Sequence, residues 1–147
     1  MNTAAPTEVL KDEATLQLDA HGNLRHLLTL KGLDKSLLNE ILDDAEQYLT
    51  EPGELPARGQ SLVGRSVANL FFEASTRTRA SFDLAGKRLG ADVLNLDVNT
   101  SSRKKGESIL DTIYTLEAMH VDIMVVRDAS AGVPAFIARH VLPHVSI

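Results

Sequence analysis

Residues 66–90, SVANLFFEASTRTRASFDLAGKRLG, contain the clearest indication of the architecture of this chain. It begins with Ser66–Phe72, a short and mostly apolar run that is typical of a buried strand. The residues from about Thr76 to Leu89 favour a helix, and Gly90 is suited to end it, because glycine tolerates the left-handed backbone at a helix C-terminus. A strand that leads directly into a helix is the repeating unit of an α/β protein.

The same alternation continues toward the carboxyl terminus. Asp92–Asp97 and Val121–Val126 are predicted strands, and His144–Ile147 has the pattern of a fourth strand that has just begun. Between them, apolar positions recur at helical spacing over residues 109–119, and a short helix is predicted near Pro134–His140.

The amino-terminal part is predicted to contain a tail and one helix. Residues 1–22 mix small and charged side chains without sustained periodicity, so we expect a flexible tail, followed by a domain over residues 23–147. Asp34 is a suitable cap for an amphipathic helix that ends before Pro52.

Strands that alternate with helices in this way imply right-handed crossovers and a parallel sheet. We therefore predict the α/β class, with a parallel sheet covered by helices on both faces in a Rossmann-like three-layer arrangement. Ligands of such sheets bind beyond the carboxyl ends of the strands. The loops after Phe72, Asp97 and Val126 are expected to share one edge and to face one site.

Composition excludes several classes of function. A chain of 147 residues, 44% hydrophobic and 24% charged, fits one soluble domain. The absence of cysteine excludes disulfide frameworks, thiolate zinc sites and thiol nucleophiles. With 15 basic and 20 acidic residues the net charge is −5, which argues against generic nucleic-acid binding. No long apolar run and no secretion signal is present, so we expect a cytoplasmic protein without a membrane partner.

The start of the helix after the first strand carries charges of unusual sign. A helix N-terminus is positively polarised and normally has acidic residues in its first turn, whereas this one has Arg77 and Arg79 beside the hydroxyls of Ser75, Thr76 and Thr78. A phosphate would satisfy the backbone N–H groups, hydroxyls and guanidinium groups together. The alternative is that Ser75 only caps the helix while the arginines pair with Glu73, Asp83 or solvent.

The run Ser75-Thr-Arg-Thr-Arg79, between Phe-Phe-Glu-Ala and a helix, resembles the carbamoyl-phosphate signature of the aspartate and ornithine carbamoyltransferases. The likeness extends from about Leu24 to Ile147. It implies that the chain is the carbamoyl-phosphate-binding, amino-terminal half of a two-domain enzyme. By that resemblance Ser75, Thr76, Arg77 and Thr78 would hold the phosphate, with Arg77 and Thr78 also near the reacting carbonyl.

The loop Asn99–Ser108 contains three consecutive cations, Arg103–Lys105, and a charge run of this kind is usually a solvated surface. The loop also resembles the one that reaches into a neighbouring subunit's active site in trimeric aspartate carbamoyltransferases. On that pattern Ser101 would contact phosphate, and Lys105 would contact phosphate and the aspartate carboxylates. The same run favours the aspartate branch of the family over the ornithine branch.

Arg127 closes the third predicted strand, so its side chain should reach the same sheet edge. It could simply pair with Asp128. The resemblance instead implies that Arg127 binds carbamoyl phosphate on the carbonyl side.

The implied reaction is transfer of the carbamoyl group from carbamoyl phosphate to L-aspartate in pyrimidine biosynthesis, by a homotrimer with shared active sites. We expect no cofactor and no metal ion. The family's carbamoyl-contacting His and Gln and its aspartate-binding arginines have no counterpart in the 147 residues, so we expect little activity from this chain alone. An ornithine carbamoyltransferase and a non-catalytic scaffold remain as alternatives.

Overall fold

The computed structural model describes residues 15–97 and 108–147. Strands and helices alternate along the chain from β1 onward, as the sequence predicts. None of the helices in the described ranges is long and apolar enough to cross a membrane. In chain order the elements are α1 (Lys35–Glu46), β1 (Ser66–Phe71), α2 (Thr76–Arg88), β2 (Asp92–Asp97), α3 (Ile109–Ala118), β3 (Ile123–Arg127) and α4 (Val133–Ala138).

The three strands form a parallel sheet in the order β2-β1-β3, with β1 in the centre. Phe71, at the end of β1, is in register with Asp97 of β2 and with Arg127 of β3. The carboxyl ends of all three strands therefore lie at one edge of the sheet, which confirms the predicted common edge.

The two faces of the sheet are covered by different helices. Ala68 and Leu70 of β1 face α3 and α4, and together with Ile113, Leu116 and Ile137 they belong to the main hydrophobic core. Side chains alternate between faces along a strand, so Val67 and its neighbour in register, Val93, lie on the opposite face. There Gly86 of α2 packs against them. The predicted α/β class with helices on both faces is thus confirmed.

The predicted helix after Asp34 is real but shorter than its periodicity suggests. The Asp34 side chain accepts a hydrogen bond from the Ser36 backbone N–H at 2.8 Å, as expected of a cap. The helix ends at Glu46, with Gln47 as its C-cap. Beyond that point Tyr48 and Leu49 bond to carbonyls three residues earlier, which tightens the chain into turns well before Pro52.

Part of the segment predicted as a flexible tail, residues 1–22, is hydrogen-bonded to the rest of the domain. Residues 1–14 lie outside the described residues, but Gln17 is buried and its Oε1 accepts hydrogen bonds from the backbone N–H groups of Leu28 and Thr29 at 2.7 and 2.8 Å. Leu18 also forms an antiparallel bridge with Leu24. These bonds explain why residues 15–22 belong to the folded domain.

The segment predicted as a fourth strand lies beside β3. Ser146 forms a single parallel bridge with Ile123, through the bonds Met124 N–H to Ser146 O and Ser146 N–H to Asp122 O, each 2.9 Å long. Within the described residues the named sheet therefore has three strands, and His144–Ile147 contributes one bridge on its β3 side.

Candidate anion-binding site

The turn after β1 leads directly into α2, which begins at Thr76 with Ser75 as its N-cap. The first turn of α2 holds no acidic residue. Within the described part of the chain, the Ser75 side chain makes no capping hydrogen bond to the helix. The hydrogen bond that would make Ser75 an ordinary helix cap is therefore missing from the described residues, and its hydroxyl stays available to a ligand.

Helix α3 provides a comparison within the same molecule. Its N-cap, Ser108, accepts a hydrogen bond from the Asp111 backbone N–H, while the Asp111 carboxylate accepts one from the Ser108 N–H. This capping box satisfies the helix end with its own acidic residue. The N-terminus of α2 has an arginine-rich first turn instead, and an external anion would fill the place that Asp111 fills in α3.

Arg127 brings the end of β3 into contact with α2. Its Nη1 donates to Oγ1 of Thr78 at 3.3 Å, and its Nε forms an ion pair with the Glu73 carboxylate. The sequence offered Asp128 as the simplest partner of Arg127. The structure places the guanidinium against Glu73 instead, across the sheet edge.

The predicted site residues fall into two groups. Ser75, Thr76, Arg77 and Thr78 are consecutive at the start of α2, and Arg127 reaches this group through Thr78. Ser101 and Lys105 lie outside the described residues. Arg77 is exposed, and across residues 15–97 and 108–147 no acidic group forms an ion pair with it.

Glu73 is the functional candidate that the sequence did not single out. It appeared only as a possible partner of the helix arginines, whereas it pairs with Arg127, 54 positions away. The register of β1 against β3 is the feature from which the Glu73–Arg127 contact could have been predicted. Because Phe71 lies opposite Arg127 and the Phe72 N–H bonds to the Arg127 carbonyl, the next side chain of the turn is within reach of the guanidinium.

An open groove of about 580 Å³ adjoins this site. Thr78 and Arg127 are among its lining residues, together with the apolar side chains of Phe71 and Phe82. The site thus combines cationic and hydroxyl donors with an apolar neighbourhood. Apolar side chains beside the anion strengthen its attraction to fixed cations, compared with the same charges in bulk water.

Residues 25–147 match a family model described as aspartate/ornithine carbamoyltransferase, carbamoyl-P binding domain. The chain belongs to this family. The resemblance carried by Ser75–Arg79 is therefore confirmed at the level of the family, and the strand-turn-helix unit that carries those residues is part of its carbamoyl-phosphate-binding domain.

Solved structures of aspartate transcarbamoylases share this carbamoyltransferase domain. The M. jannaschii catalytic subunit is 34% identical with a TM-score of 0.69, and the match covers 84% of this chain and 39% of that one. The Trypanosoma cruzi enzyme in complex with carbamoyl phosphate and aspartate is 31% identical with a TM-score of 0.67, and the match covers 83% of this chain and 39% of that one. The chain thus spans about two fifths of the length of these relatives.

Proposed function

We propose that this chain provides the carbamoyl-phosphate half of an aspartate carbamoyltransferase active site. Ser75, Thr76, Arg77 and Thr78 bind the phosphate, and Arg127 binds on the carbonyl side. The contact between Arg127 and Thr78 at 3.3 Å carries the proposal, because it joins the end of β3 to the start of α2 in one cationic site.

The reaction requires no covalent intermediate with the protein. The α-amino group of L-aspartate attacks the carbonyl carbon of carbamoyl phosphate and a new C–N bond forms. The C–O bond to phosphate breaks, and the amine loses a proton to the departing phosphate or to water. The products are N-carbamoyl-L-aspartate and phosphate. Catalysis comes from holding two anions together and from stabilising the charge that develops on the carbonyl oxygen and on the departing phosphate. Arg77, Thr78 and Arg127 serve that purpose in this half of the site.

The aspartate branch is favoured over the ornithine branch by two observations. The loop Asn99–Ser108 carries the Lys-Lys-Gly-Glu-Ser run, and the solved relatives named above are aspartate transcarbamoylases. In this proposal the two residues act in the active site of a neighbouring subunit: Ser101 contacts the phosphate, and Lys105 contacts the phosphate and the carboxylates of the substrate aspartate. The assembly is a cytoplasmic homotrimer of pyrimidine biosynthesis. Carbamoyl transfer to aspartate and not to ornithine, measured with a chain that also carries the amino-acid-binding domain, tests this assignment.

Titration of carbamoyl phosphate into the 147-residue chain, followed by amide chemical shifts, tests the half-site itself. We expect weak, saturable binding that shifts the amides of residues 75–78, and negligible carbamoylation of aspartate in a radiometric assay. Arg77→Ala should abolish the binding, because it removes the exposed guanidinium without an ion-pair partner in the described residues. Arg88→Ala, at the opposite end of α2, is the matched control and should bind as the unsubstituted chain does.

A scaffold without catalytic function predicts a different result. In that case Arg77→Ala and Arg88→Ala would behave alike, and neither would change the amide shifts on addition of carbamoyl phosphate. Carbamoylation at rates typical of the family by the 147-residue chain would contradict the half-site proposal from the other direction.

A further inference from the structure

Helix α2, which carries the proposed phosphate site, has little apolar anchorage on the sheet. Gly86 is its one buried residue, and its two large apolar side chains, Phe82 and Leu84, are 44% and 49% exposed. At Gly86 the backbone approaches the sheet so closely that a Cβ atom would lie 2.8 Å from Cγ2 of Val93. This contact fixes the separation of helix and sheet near the helix C-terminus, but a single small residue does not fix rotation of the helix about its axis.

A chain of polar side chains supplies a second attachment between sheet and helix. Asn69, buried in the central strand, is in register with Asn95 of β2 and donates from Nδ2 to its Oδ1 at 2.8 Å. Asn95 in turn donates from Nδ2 to Oδ1 of Asp83 at 2.7 Å. Lys87, one turn later on α2, donates to the other carboxylate oxygen of Asp83 at 2.9 Å. The sheet is thus hydrogen-bonded to the middle of the helix.

The hydrogen bonds from Asn69 to Asn95 and from Asn95 to Asp83 have a fixed donor-to-acceptor direction. An ionised carboxylate only accepts hydrogen bonds, so Asn95 must present its NH₂ group to Asp83 and its oxygen to Asn69. Asn69 must then present its own NH₂ group. Hydrogen bonds from Lys87 and Asn95 lower the pKa of Asp83, which keeps the carboxylate ionised near neutral pH. The buried Oδ1 of Asn69 makes no hydrogen bond within the described residues. The network thus leaves one acceptor unsatisfied while it orients Asn95 toward Asp83.

Helix geometry connects Asp83 to the phosphate site. Asp83 follows Thr76 by seven residues, close to two full turns, so both lie on the same side of α2 about 10 Å apart along the axis. A rotation of the helix at Asp83 therefore displaces Thr76 and its neighbours Arg77 and Thr78 by a similar angle.

We propose that the Asn69–Asn95–Asp83 chain sets the rotation of α2 on the sheet and thereby positions the phosphate-binding residues at the start of that helix. Asp83 and Asn95 are positioning residues, since neither contacts the phosphate site directly. The expected effect on phosphate binding rests on the proposed function. The positioning of the helix rests only on the hydrogen bonds of the described residues.

Because each of these hydrogen bonds has a defined donor and acceptor, the proposal can be tested by exchanging the side chains of residues 83 and 95. Asn95→Asp places a carboxylate against Asp83, and repulsion between the two should rotate the helix away. The double variant Asp83→Asn with Asn95→Asp restores an acceptor at 95 between two NH₂ groups. A misplacement of about 1 Å can slow an enzyme reaction by about a hundredfold. For phosphate binding we expect a smaller effect, with about tenfold weaker affinity in N95D and nearly normal affinity in the double variant. Asp92→Asn, an exposed change on the same strand, is the control and should leave phosphate affinity unchanged.

Three measurements on each variant of the 147-residue chain decide the outcome: the phosphate Kd, the amide shifts of residues 76–78 without ligand, and the free energy of unfolding in urea. Loss of stability with unchanged phosphate affinity and unchanged amide shifts would show a merely structural network and overturn the inference. Failure of the double variant to recover would overturn it as well.

Two further outcomes are distinguishable. If N95D does not fold, Asp83→Ala interrupts the chain at a partly exposed position; weaker phosphate binding with shifted amides at 76–78 supports the inference, and unchanged values reject it. If the unsubstituted chain and D92N bind no phosphate at 75–78, the proposed function fails. The amide shifts of 76–78 in N95D and in the double variant then decide the positioning claim by themselves.

Discussion

Nη1 of Arg127 lies 3.3 Å from Oγ1 of Thr78, although 49 positions separate the two residues in the chain. The contact joins the last residue of β3 to the first turn of α2. It depends on the parallel register that places Arg127 opposite Phe71. The sequence predicts, by two independent arguments, that the end of β3 and the start of α2 belong to one site. This hydrogen bond joins the two.

The two helix caps predict opposite effects for the same substitution. Ser108→Ala removes the capping box of α3 and should lower the free energy of unfolding by about 1 kcal/mol without changing phosphate affinity. Ser75→Ala removes no capping bond and should leave stability unchanged while weakening phosphate binding. Urea unfolding and phosphate titration of both variants check this pair. Equal losses of stability would mean that Ser75 acts as an ordinary cap.

Glu73 neutralises part of the charge that Arg127 brings to the site. Glu73→Gln should therefore strengthen phosphate binding about threefold, because a partly exposed ion pair is worth less than about 1 kcal/mol. Glu54→Gln removes the same charge from an exposed turn and serves as the control. Equal phosphate Kd values for the two variants would reject a local competition between Glu73 and the anion.

His26 should make stability depend on pH. The residue is 1% exposed, and its Nδ1 accepts a hydrogen bond from the Ile147 N–H at 3.1 Å. Burial, with the Arg25 charge as a second cause, lowers the pKa of His26 from 6.5 to about 4. Between these values the unfolded chain binds a proton that the folded chain does not, so the free energy of unfolding rises with pH. The contribution is complete above the unfolded pKa, and about 3 kcal/mol is lost as the pH falls toward the folded pKa.

Urea unfolding of the unsubstituted chain and of His26→Asn, between about pH 4 and pH 7, isolates this contribution from that of the carboxylates. The asparagine oxygen replaces Nδ1 as an acceptor but does not titrate. We expect a smaller increase of stability with pH in the variant. Parallel curves for the two proteins would contradict a buried neutral histidine.

Alanine substitutions at Gly90 and Gly53 distinguish the cost of backbone strain from the cost of a steric clash. Both have a left-handed backbone, with φ of +91° and +97°, but a Cβ at residue 90 would lie 2.6 Å from Cγ2 of Val63, whereas no described atom lies within 4 Å at residue 53. Gly53→Ala should cost about 1 kcal/mol of stability, and Gly90→Ala at least about 2 kcal/mol. Thermal unfolding of both variants measures the difference, and equal costs would show that the Val63 side chain moves aside freely.

Local patterns allowed much of the fold to be predicted, because each is written in consecutive residues. The apolar run of β1 and the glycine after α2 are of this kind: the Gly90 and Ala91 N–H groups bond to the Lys87 and Gly86 carbonyls, as expected where a left-handed glycine ends a helix. The end of α1 was less predictable, since Tyr48 and Leu49 continue the helical period although the chain has already turned.

Contacts that depend on strand register escaped the sequence reasoning. Asp128 was the obvious partner of Arg127 because it is adjacent, whereas the Glu73 ion pair requires β1 and β3 to be neighbours in a defined register. The Asn69–Asn95 pair has the same origin, since the two residues face each other only when β1 and β2 pair as they do. Ser101 and Lys105 stay predictions, because they lie outside the described residues.

The central place of β1 has a consequence for how the protein fails under heat. Residues Val67–Phe71 have strand partners on both sides and helices on both faces, so their amides should be among the slowest to exchange with solvent. The phosphate site begins at Ser75, three residues after Phe72, so it is held directly at the end of this central strand. Gradual warming should therefore fray α1, which has no buried residue, before the sheet, and the ability to bind an oxyanion should be lost together with the global melting transition.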